Sequence, residues 1–294
     1  MATTALAATV VAGATPPAPT MAAVIDTGRA PCGAAVRGGS LWVGVYETGR
    51  VLQIDPRGRV QRRYRTGRWT CRLAVSPTAL WVTRDQANEI VRLDRGSGRS
   101  IRVNVGANPF GILLAAGSLW ASSYDAGVVT RLDPRTGRSV SITRDGSNPA
   151  GLAACGGRIW VGHGRQATWV TAIDPASSRV ERVDVGAETP SIPRCVRGEL
   201  WVATADSVIR LDPRSGRVLA RVHLGGTPAD VAAAPDGLVW VSDKERSVVY
   251  RVDPSTSAVV DSVAAGPGSF ALAVLRGSVW VTSFAGSDAR RYDP

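Results

Sequence analysis

A tryptophan flanked by apolar residues recurs seven times along this chain at an almost constant interval. Three copies are Leu-Trp-Val, and each of the other four differs at one flanking residue. The spacings between successive tryptophans are 39, 39, 40, 41, 39 and 40 residues, for Trp42, Trp81, Trp120, Trp160, Trp201, Trp240 and Trp280. A fixed period of this length is typical of repeat architectures in which each copy forms one supersecondary unit. The period therefore constrains the fold of the chain more than any other feature.

A second motif follows each tryptophan and marks a turn. About 13 residues after the tryptophan an apolar residue precedes an aspartate, and proline follows that aspartate in all copies but the second. The aspartate can accept hydrogen bonds from the next backbone amides, proline fixes φ, and a later glycine can take a positive φ. These aspartates are Asp55, Asp94, Asp133, Asp174, Asp212, Asp253 and Asp293.

Each repeat contains four short segments with strand character. In the third copy we predict strands near residues 110–115, 119–122, 128–132 and 139–143, each rich in Val, Ile, Leu or Trp and bounded by turn residues. Apolar residues never follow a sustained 3.6-residue period, so essentially no helix is expected. Four-stranded units at this period predict an all-β, seven-bladed β-propeller. The repeated tryptophans are then expected to pack between blades.

The N-terminal part of the repeat region is expected to close the ring. The seventh repeat reaches Asp293-Pro294 without a fourth strand, whereas residues 22–28 match a fourth strand and its terminal glycine. Pairing the two would remove exposed sheet edges. We therefore predict one propeller domain over residues 21–294. Residues 1–20 are interpreted either as a truncated secretory signal without its basic start or as an Ala/Thr/Pro linker. No segment is apolar for long enough to span a membrane.

The formal net charge of +11 raises the question of nucleic-acid binding. Arginines recur at fixed repeat positions, which favours a solvated ring of spaced charges over a groove that follows a phosphate backbone. We therefore expect no nucleic-acid partner. The recurrent arginines are Arg92, Arg131, Arg210, Arg251 and Arg291, two residues before the aspartate, and Arg57, Arg95, Arg135 and Arg214 in the turns.

The four cysteines form two couples in neighbouring repeats. Cys32 and Cys71 each lie ten residues before a tryptophan, and Cys155 and Cys195 lie five and six residues before theirs. Two disulfides are possible if the inner strands bring the Cα atoms within about 7 Å. Four buried free thiols are the alternative. Disulfides would favour an extracytoplasmic or secreted protein over a cytoplasmic one.

The repeat resembles the seven-bladed YVTN-type, NHL and streptogramin (virginiamycin B) lyase-like propellers. The segments 109–120 and 235–240 carry the resemblance most clearly. It implies, for the lyases, elimination across an ester-type C–O bond by histidines, a glutamate and a divalent metal in the central cavity. No histidine stands at the seven positions where the family carries one after the first proline of a blade, so we predict no catalytic residue, metal or cofactor. Those positions are Cys32, Cys71, Phe110, Ala150, Ser191, Ala229 and Phe270.

Loops on one face of the predicted ring vary between repeats, whereas those on the other face are regular. Variable loops on a regular scaffold are typical of a recognition surface. Trp69 is interpreted as an exposed binding aromatic or as a loop-packing residue, and His163 as a ligand for an anion or metal or as a plain surface histidine. The predicted ligand-binding face comprises Tyr46, Trp69, Arg72, Arg84, Tyr124, Asp125, His163, Arg165, Asp230, Asp243 and Phe284.

The sequence favours a non-enzymatic binding or scaffold propeller that recognises a protein, peptide or small ligand through this face. We expect a monomer. The alternatives are a propeller enzyme with a non-standard site, either a streptogramin lyase-like C–O lyase or a lactonase-type hydrolase, and a sensor module of a larger assembly. A channel lined by small and apolar groups would favour binding, and a cluster of three or more ionisable groups at one mouth, with or without a metal, would favour catalysis.

Overall fold

The computed structural model describes residues 17–294, which form 28 strands and one 3-10 turn at Asp85–Ala87. The strands make seven four-stranded antiparallel sheets, so the predicted all-β, seven-bladed propeller is confirmed. Residues 1–16 lie outside the described residues, and most of the predicted leader or linker lies there. Within the described part of the chain, no helix has the length and apolar character needed to cross a membrane.

The blades follow one another in chain order, and β1 belongs to the last of them. Blades one to three are β2 (Pro31–Arg37), β3 (Ser40–Val45), β4 (Arg50–Ile54) and β5 (Val60–Arg65); β6 (Thr70–Val75), β7 (Ala79–Arg84), β8 (Glu89–Asp94) and β9 (Ser100–Asn104); and β10 (Pro109–Ala115), β11 (Ser118–Ser123), β12 (Val128–Leu132) and β13 (Ser139–Arg144). Blades four and five are β14 (Pro149–Cys155), β15 (Arg158–His163), β16 (Trp169–Ile173) and β17 (Val180–Asp184), then β18 (Ile192–Val196), β19 (Glu199–Ala203), β20 (Ser207–Leu211) and β21 (Val218–His223). Blades six and seven are β22 (Pro228–Ala233), β23 (Val239–Asp243), β24 (Val248–Asp253) and β25 (Ala258–Ala264), then β26 (Ser269–Leu275), β27 (Ser278–Ser283), β28 (Asp288–Asp293) and β1 (Thr20–Asp26).

The ring closes as the sequence predicts. Strand β1 pairs antiparallel with β28, with Thr20 opposite Asp293 and Asp26 opposite Asp288. The Thr27 amide extends the pairing by donating to the Ser287 carbonyl at 2.9 Å. The last blade therefore combines three C-terminal strands with one N-terminal strand.

The seven repeated tryptophans form the packing layer between blades. All are at most 1% exposed. Each packs on the blade that follows it in the ring: Trp42 contacts the cluster with Leu80 and Val82. Trp280 joins the last blade to the first, through a cluster that includes Leu41 and Val43. The expected role of these residues is confirmed, and burial of each contributes about 2–3 kcal/mol.

The inner strands of neighbouring blades approach closely enough for disulfides. A Cβ atom at Gly33 or Gly44 would lie 2.3 or 2.4 Å from the Cys71 carbonyl oxygen, so the contact requires glycine. Cys32 and Cys71 are bonded with a Cα–Cα distance of 4.9 Å, and Cys155 and Cys195 with one of 5.3 Å. The alternative of four free thiols is wrong.

The strand arginines do not form the solvated ring that we expected. Arg131, Arg210 and Arg291 instead reach across to the next blade. Their Nη1 atoms donate to the carbonyls of Pro175, Pro254 and Pro56 at 2.7, 2.5 and 2.9 Å. The turn arginines Arg57, Arg135 and Arg214 are exposed as expected. The fourth, Arg95, instead lies 4.6 Å from the ring centroid of Trp42 in the first blade.

Ile25 and Val24 in β1 provide a test of ring closure. Ile25 packs against the first blade, whereas Val24 on the opposite face of the same strand is 53% exposed. We expect Ile25→Ala to destabilise the protein by about 1–2 kcal/mol and to lower the unfolding midpoint by a few degrees. Val24→Ala should have little effect. Equal thermal midpoints for the two variants in calorimetry would contradict the closure.

Candidate functional site

The variable loops of the ring meet on one face, as predicted. Hydrogen bonds tie each loop between second and third strands to the loop that precedes a first strand. The Trp69 amide donates to the Tyr46 carbonyl at 2.7 Å, and the Phe284 amide donates to the Gly268 carbonyl at 3.0 Å. These bonds hold the loop residues around one mouth of the central channel.

An outer cavity of about 490 Å³ opens on this face between the first, second and last blades. Tyr46, Trp69 and Phe284, three of the predicted site residues, line it together. Its polar atoms come mainly from the side chains of Arg29, Arg68 and Glu47, and Arg29 and Glu47 are paired at 3.2 Å. The structure therefore brings these three predicted aromatic residues together on one surface.

An inner cavity of about 200 Å³ adjoins the outer one, because Tyr46 and Phe284 line both. Its walls include all three phenylalanines of the chain, Phe110, Phe270 and Phe284. Phe284 contacts Phe270 and Tyr46 at ring-centroid distances of 5.5 and 6.0 Å. The Cys32–Cys71 disulfide, Thr83, Asp85 and Pro109 form the rest of the wall. The result is an aromatic cavity, which we call the aromatic pocket.

Trp69 lines the outer cavity and has an unusual backbone conformation. Its φ is +68°, in the left-handed region that a bulky residue rarely adopts. The corresponding residues of the first and third blades, Ala30 and Asn108, have φ values of +60° and +54°. The loop geometry is thus common to these blades, whereas the tryptophan is particular to one. Strain of this kind costs about 1–3 kcal/mol and concentrates at functional sites.

Tyr46 and Asp85 form a polar contact at the edge of the aromatic pocket. The Tyr46 hydroxyl donates to the Asp85 carboxylate at 3.0 Å. Burial, together with the negative charge of Asp85, raises the pKa of Tyr46 to about 12, and burial raises the pKa of Asp85. Tyr46 therefore stays protonated near neutral pH and serves as a fixed hydrogen-bond donor.

Arg72 and Asp230 lie in the channel and not in the loops. Arg72 belongs to β6, so its predicted loop position is wrong, and its side chain crosses the channel. Its guanidinium carbon lies 5.5 Å from the Phe110 ring centroid and 4.8 Å from that of Phe270. Asp230 is 1% exposed and pairs with Arg194, whose Nε lies 2.7 Å from Oδ1. Phe110, Phe270 and Arg194 thus join the site from outside the predicted set.

Tyr124, Asp125 and Arg165 form a surface cluster beside the aromatic pocket. The Arg165 guanidinium lies 5.6 Å from the Tyr124 ring centroid and 3.2 Å from the Asp125 carboxylate. Tyr124 contacts Phe110 at 6.3 Å between centroids. The cluster extends the aromatic rim toward the third and fourth blades.

Two predicted site residues support the loops from inside and cannot meet a ligand directly. Arg84 is 9% exposed, donates to the Arg68 carbonyl at 3.0 Å and pairs with Glu89. Asp243 is fully buried and accepts from the amides of Glu245 and Arg246. Both were expected on the binding face because their sequence positions follow a strand, but their side chains turn inward.

His163 is fully buried, so its interpretation as a surface histidine is wrong, and it does not form part of an exposed site. Its Nε2 lies 3.1 Å from an Asp145 carboxylate oxygen and its Nδ1 lies 2.9 Å from the Ser147 hydroxyl. Ser147, His163 and Asp145 thus have the order of the nucleophile, general base and orienting carboxylate in a catalytic triad. The fully enclosed imidazole has no access to substrate, which a general base requires, and we assign the cluster a structural role.

Two features of the sequence could have pointed to the phenylalanines and to Arg194, although neither is a matter of residue spacing. Three phenylalanines in 294 residues is few, and two of them occupy the position directly after the start of a first strand. Arg194 and Arg72 both lie within first strands, where most other residues are small or apolar. Only the closed ring shows that residues from four blades meet.

The residues present do not fit the metal site that the lyase resemblance implies. Two of the seven positions that correspond to the histidines of the lyases are disulfide-bonded cysteines, which cannot ligate, and the others are Phe, Ala or Ser. Among residues 17–294, no three His, Cys, Asp or Glu side chains are grouped so as to hold a metal ion.

Solved structures of other proteins share this fold. Virginiamycin B lyase from Staphylococcus aureus aligns with a TM-score of 0.77 at 15% identity, covering 92% of this chain and 96% of that chain. A catalytically inactive histidine-to-alanine variant with quinupristin gives 0.78 at 15%, covering 94% and 98%. Hydrazine synthase from Kuenenia stuttgartiensis gives 0.78 at 16%, covering 91% and 96%. No family model and no curated protein matches the chain. At these identities the similarity shows the streptogramin lyase-like propeller fold alone.

The Asp145–His163 cluster predicts a pH-dependent stability. Burial raises the pKa of Asp145, but hydrogen bonds and charges from His163, Thr171 and Arg182 outweigh burial and lower it. Its stabilisation is therefore present above the unfolded pKa of about 4 and is lost as the pH falls through the lower folded value. We expect Asp145→Asn to cost about 1–3 kcal/mol at pH 7 and progressively less below pH 4.

Asp184→Asn is the matched control, because Asp184 is exposed and asparagine can still accept the 2.9 Å bond from the Gly186 amide. Urea unfolding at several pH values measures both variants. A constant difference between Asp145→Asn and the unmodified chain from pH 7 to pH 3 would contradict the assigned role.

Proposed function

We propose that this streptogramin lyase-like propeller is a binding protein that holds a small molecule or peptide segment with an aromatic or apolar group. The observation that carries the proposal is the gathering of all three phenylalanines, with Tyr46, around one cavity at the mouth of the channel. Cavities with apolar aromatic walls and a few fixed polar groups are the usual sites of small-ligand binding. Tyr46 and the Tyr124–Asp125–Arg165 cluster supply the polar groups.

The size of the two connected cavities supports a ligand that lies partly in each. The aromatic pocket takes about 200 Å³, and the outer cavity of about 490 Å³ leads into it past Tyr46 and Phe284. A ring inserted in the aromatic pocket would stack near Phe270, and the rest of the ligand would extend toward Trp69. Aromatic contacts of this kind contribute about 0.5–1.5 kcal/mol beyond the burial of area.

The chemistry of the channel supports binding over catalysis. Arg72, Arg194 and Asp230 form a cluster of three ionisable groups in the channel, which is the number that would favour catalysis. Only Asp230 among them is a carboxylate, however, and both of its oxygens already accept hydrogen bonds. Oδ1 accepts from the Val231 amide at 2.9 Å, and Oδ2 accepts from the Leu272 amide at 3.1 Å. A carboxylate engaged in this way is a poor general base. A lyase or hydrolase with a non-standard site is therefore the weaker proposal.

We also propose that the protein acts without nucleic acid and outside the cytoplasm. Arg131, Arg210 and Arg291 are used in hydrogen bonds between blades, so these recurrent positive charges need no phosphate partner. Two disulfides favour an oxidising compartment. A monomer fits a ring whose sheet edges are closed by β1.

The aromatic pocket predicts selective binding of neutral aromatic probes. Naphthalene-2-carboxamide should bind and cyclohexanecarboxamide should bind less well, as measured by saturation-transfer NMR. Phe270→Ala should weaken the naphthyl probe on the order of tenfold. Trp69→Gly should also weaken it while leaving thermal stability equal or higher, because glycine relieves the left-handed strain.

Val140→Ala is the control, since Val140 is 60% exposed on an outer strand. Equal affinity of the two probes, or unchanged binding in both pocket variants, would refute the proposed function.

The disulfides give a test of the proposed compartment. Protein recovered from its native source under alkylating conditions should have no free thiols by mass spectrometry. Reduction should lower stability by about 2–4 kcal/mol for each bond broken, because each bond closes a loop spanning 39 or 40 residues. Four alkylated cysteines in the native protein would contradict an oxidising location.

A further inference from the structure

The central channel contains a second cavity, distinct from the aromatic pocket. It measures about 200 Å³, and we call it the channel cavity. Most of its wall is small or aliphatic and includes Leu73, Leu152 and Leu272. Two guanidinium groups, Arg72 and Arg194, interrupt this apolar wall.

The two arginines differ in how their charges are balanced. The Arg194 guanidinium pairs with the Asp230 carboxylate through two contacts, with Nε 2.7 Å from Oδ1 and Nη2 3.1 Å from Oδ2. The nearest approach of Arg72 to the same carboxylate is 3.8 Å, from Nη1 to Oδ2, which is too long for a hydrogen bond. Two positive charges thus face one negative charge.

Arg72 is left with unsatisfied hydrogen-bonding capacity. Its side chain is 10% exposed, and its buried Nη2 has no hydrogen-bond partner within the described residues. The flanking rings of Phe110 and Phe270 stabilise the charge through their faces but accept no conventional hydrogen bond.

Arg72 remains a cation under ordinary conditions. Burial lowers its pKa to about 10, although the charge of Asp230 opposes this shift. The group is still protonated near neutral pH. A buried donor without a partner costs free energy that a suitable acceptor would recover.

We propose that the channel cavity binds a small aliphatic carboxylate, with its anionic group on Arg72 and its hydrocarbon part against Leu73, Leu152 and Leu272. A guanidinium presents donors in a planar fork that matches a carboxylate. The apolar wall selects a hydrocarbon body over an inorganic anion, which would leave that wall in contact with water. At about 30 Å³ for each water displaced, the cavity suits an acid of about five or six carbons.

This site does not depend on the function proposed for the aromatic pocket. Arg72 lines the channel cavity but not the aromatic pocket, and the two cavities share no lining residue. The channel could therefore hold a carboxylate whether or not the aromatic pocket is occupied.

Calorimetric titration of the full chain with 4-methylpentanoate and 4-methylpentanamide tests the site. The two probes share a hydrocarbon body and differ in charge. We expect saturable binding of the carboxylate, at least roughly tenfold tighter than that of the amide. Carboxylate binding no tighter than amide binding would overturn the proposal. This comparison needs no substitution, so it remains decisive even if a variant fails to fold.

Arg72→Gln tests whether Arg72 is responsible for carboxylate binding, with Arg57→Gln as the control. Arg57 lies in an exposed turn, and its substitution removes the same charge from the protein. We expect the carboxylate affinity to fall roughly tenfold or more in Arg72→Gln and to remain unchanged in Arg57→Gln. Equal affinities in the folded variants would overturn the proposal. Failure of naphthalene-2-carboxamide to bind would bear only on the aromatic pocket.

Discussion

The packing of each tryptophan against the following blade is the interaction on which the ring depends. A four-stranded blade has two apolar faces and can cover neither by itself. The buried Trp42, for example, contributes to a layer that includes side chains of both the first and the second blade. Because every blade needs a neighbour on both sides, the array is satisfied only when the seventh blade meets the first. Trp280 and strand β1 make that junction.

Closure brings the first strands of all blades around one axis and places their side chains in a common channel. Positions that are far apart in sequence become neighbours there: Arg72, Arg194 and Asp230 belong to the second, fifth and sixth blades. The same geometry brings neighbouring backbones together where glycine permits, as at Gly33 beside Cys71. A regular scaffold thus encloses one irregular interior. Residues that depart from the repeat come into contact with one another there.

The architecture could be predicted from the sequence because it rests on local, repeated signals. The tryptophan period and the Asp-Pro turns each specify a blade feature within about 40 residues, and the same repeat identifies residues 22–28 as a fourth strand. Side-chain direction and contacts across the ring carry no such signal. His163 and Asp243 were expected at the surface because they follow a strand, yet both are fully buried. The sequence does not identify Arg194 as a site residue, because its partner, Asp230, lies 36 residues away.

The Arg72 guanidinium in the channel is difficult to explain by its contribution to stability alone. A buried ion pair is often no more stabilising than apolar residues of similar volume, and an extra buried charge adds a desolvation cost. Leucine or isoleucine, which line much of the channel cavity, would avoid that cost at the position of Arg72. The flanking Phe110 and Phe270 rings reduce the cost without providing a hydrogen-bond acceptor for Nη2. A ligand that brings an acceptor into the channel accounts for the cation, the apolar wall and the missing partner together.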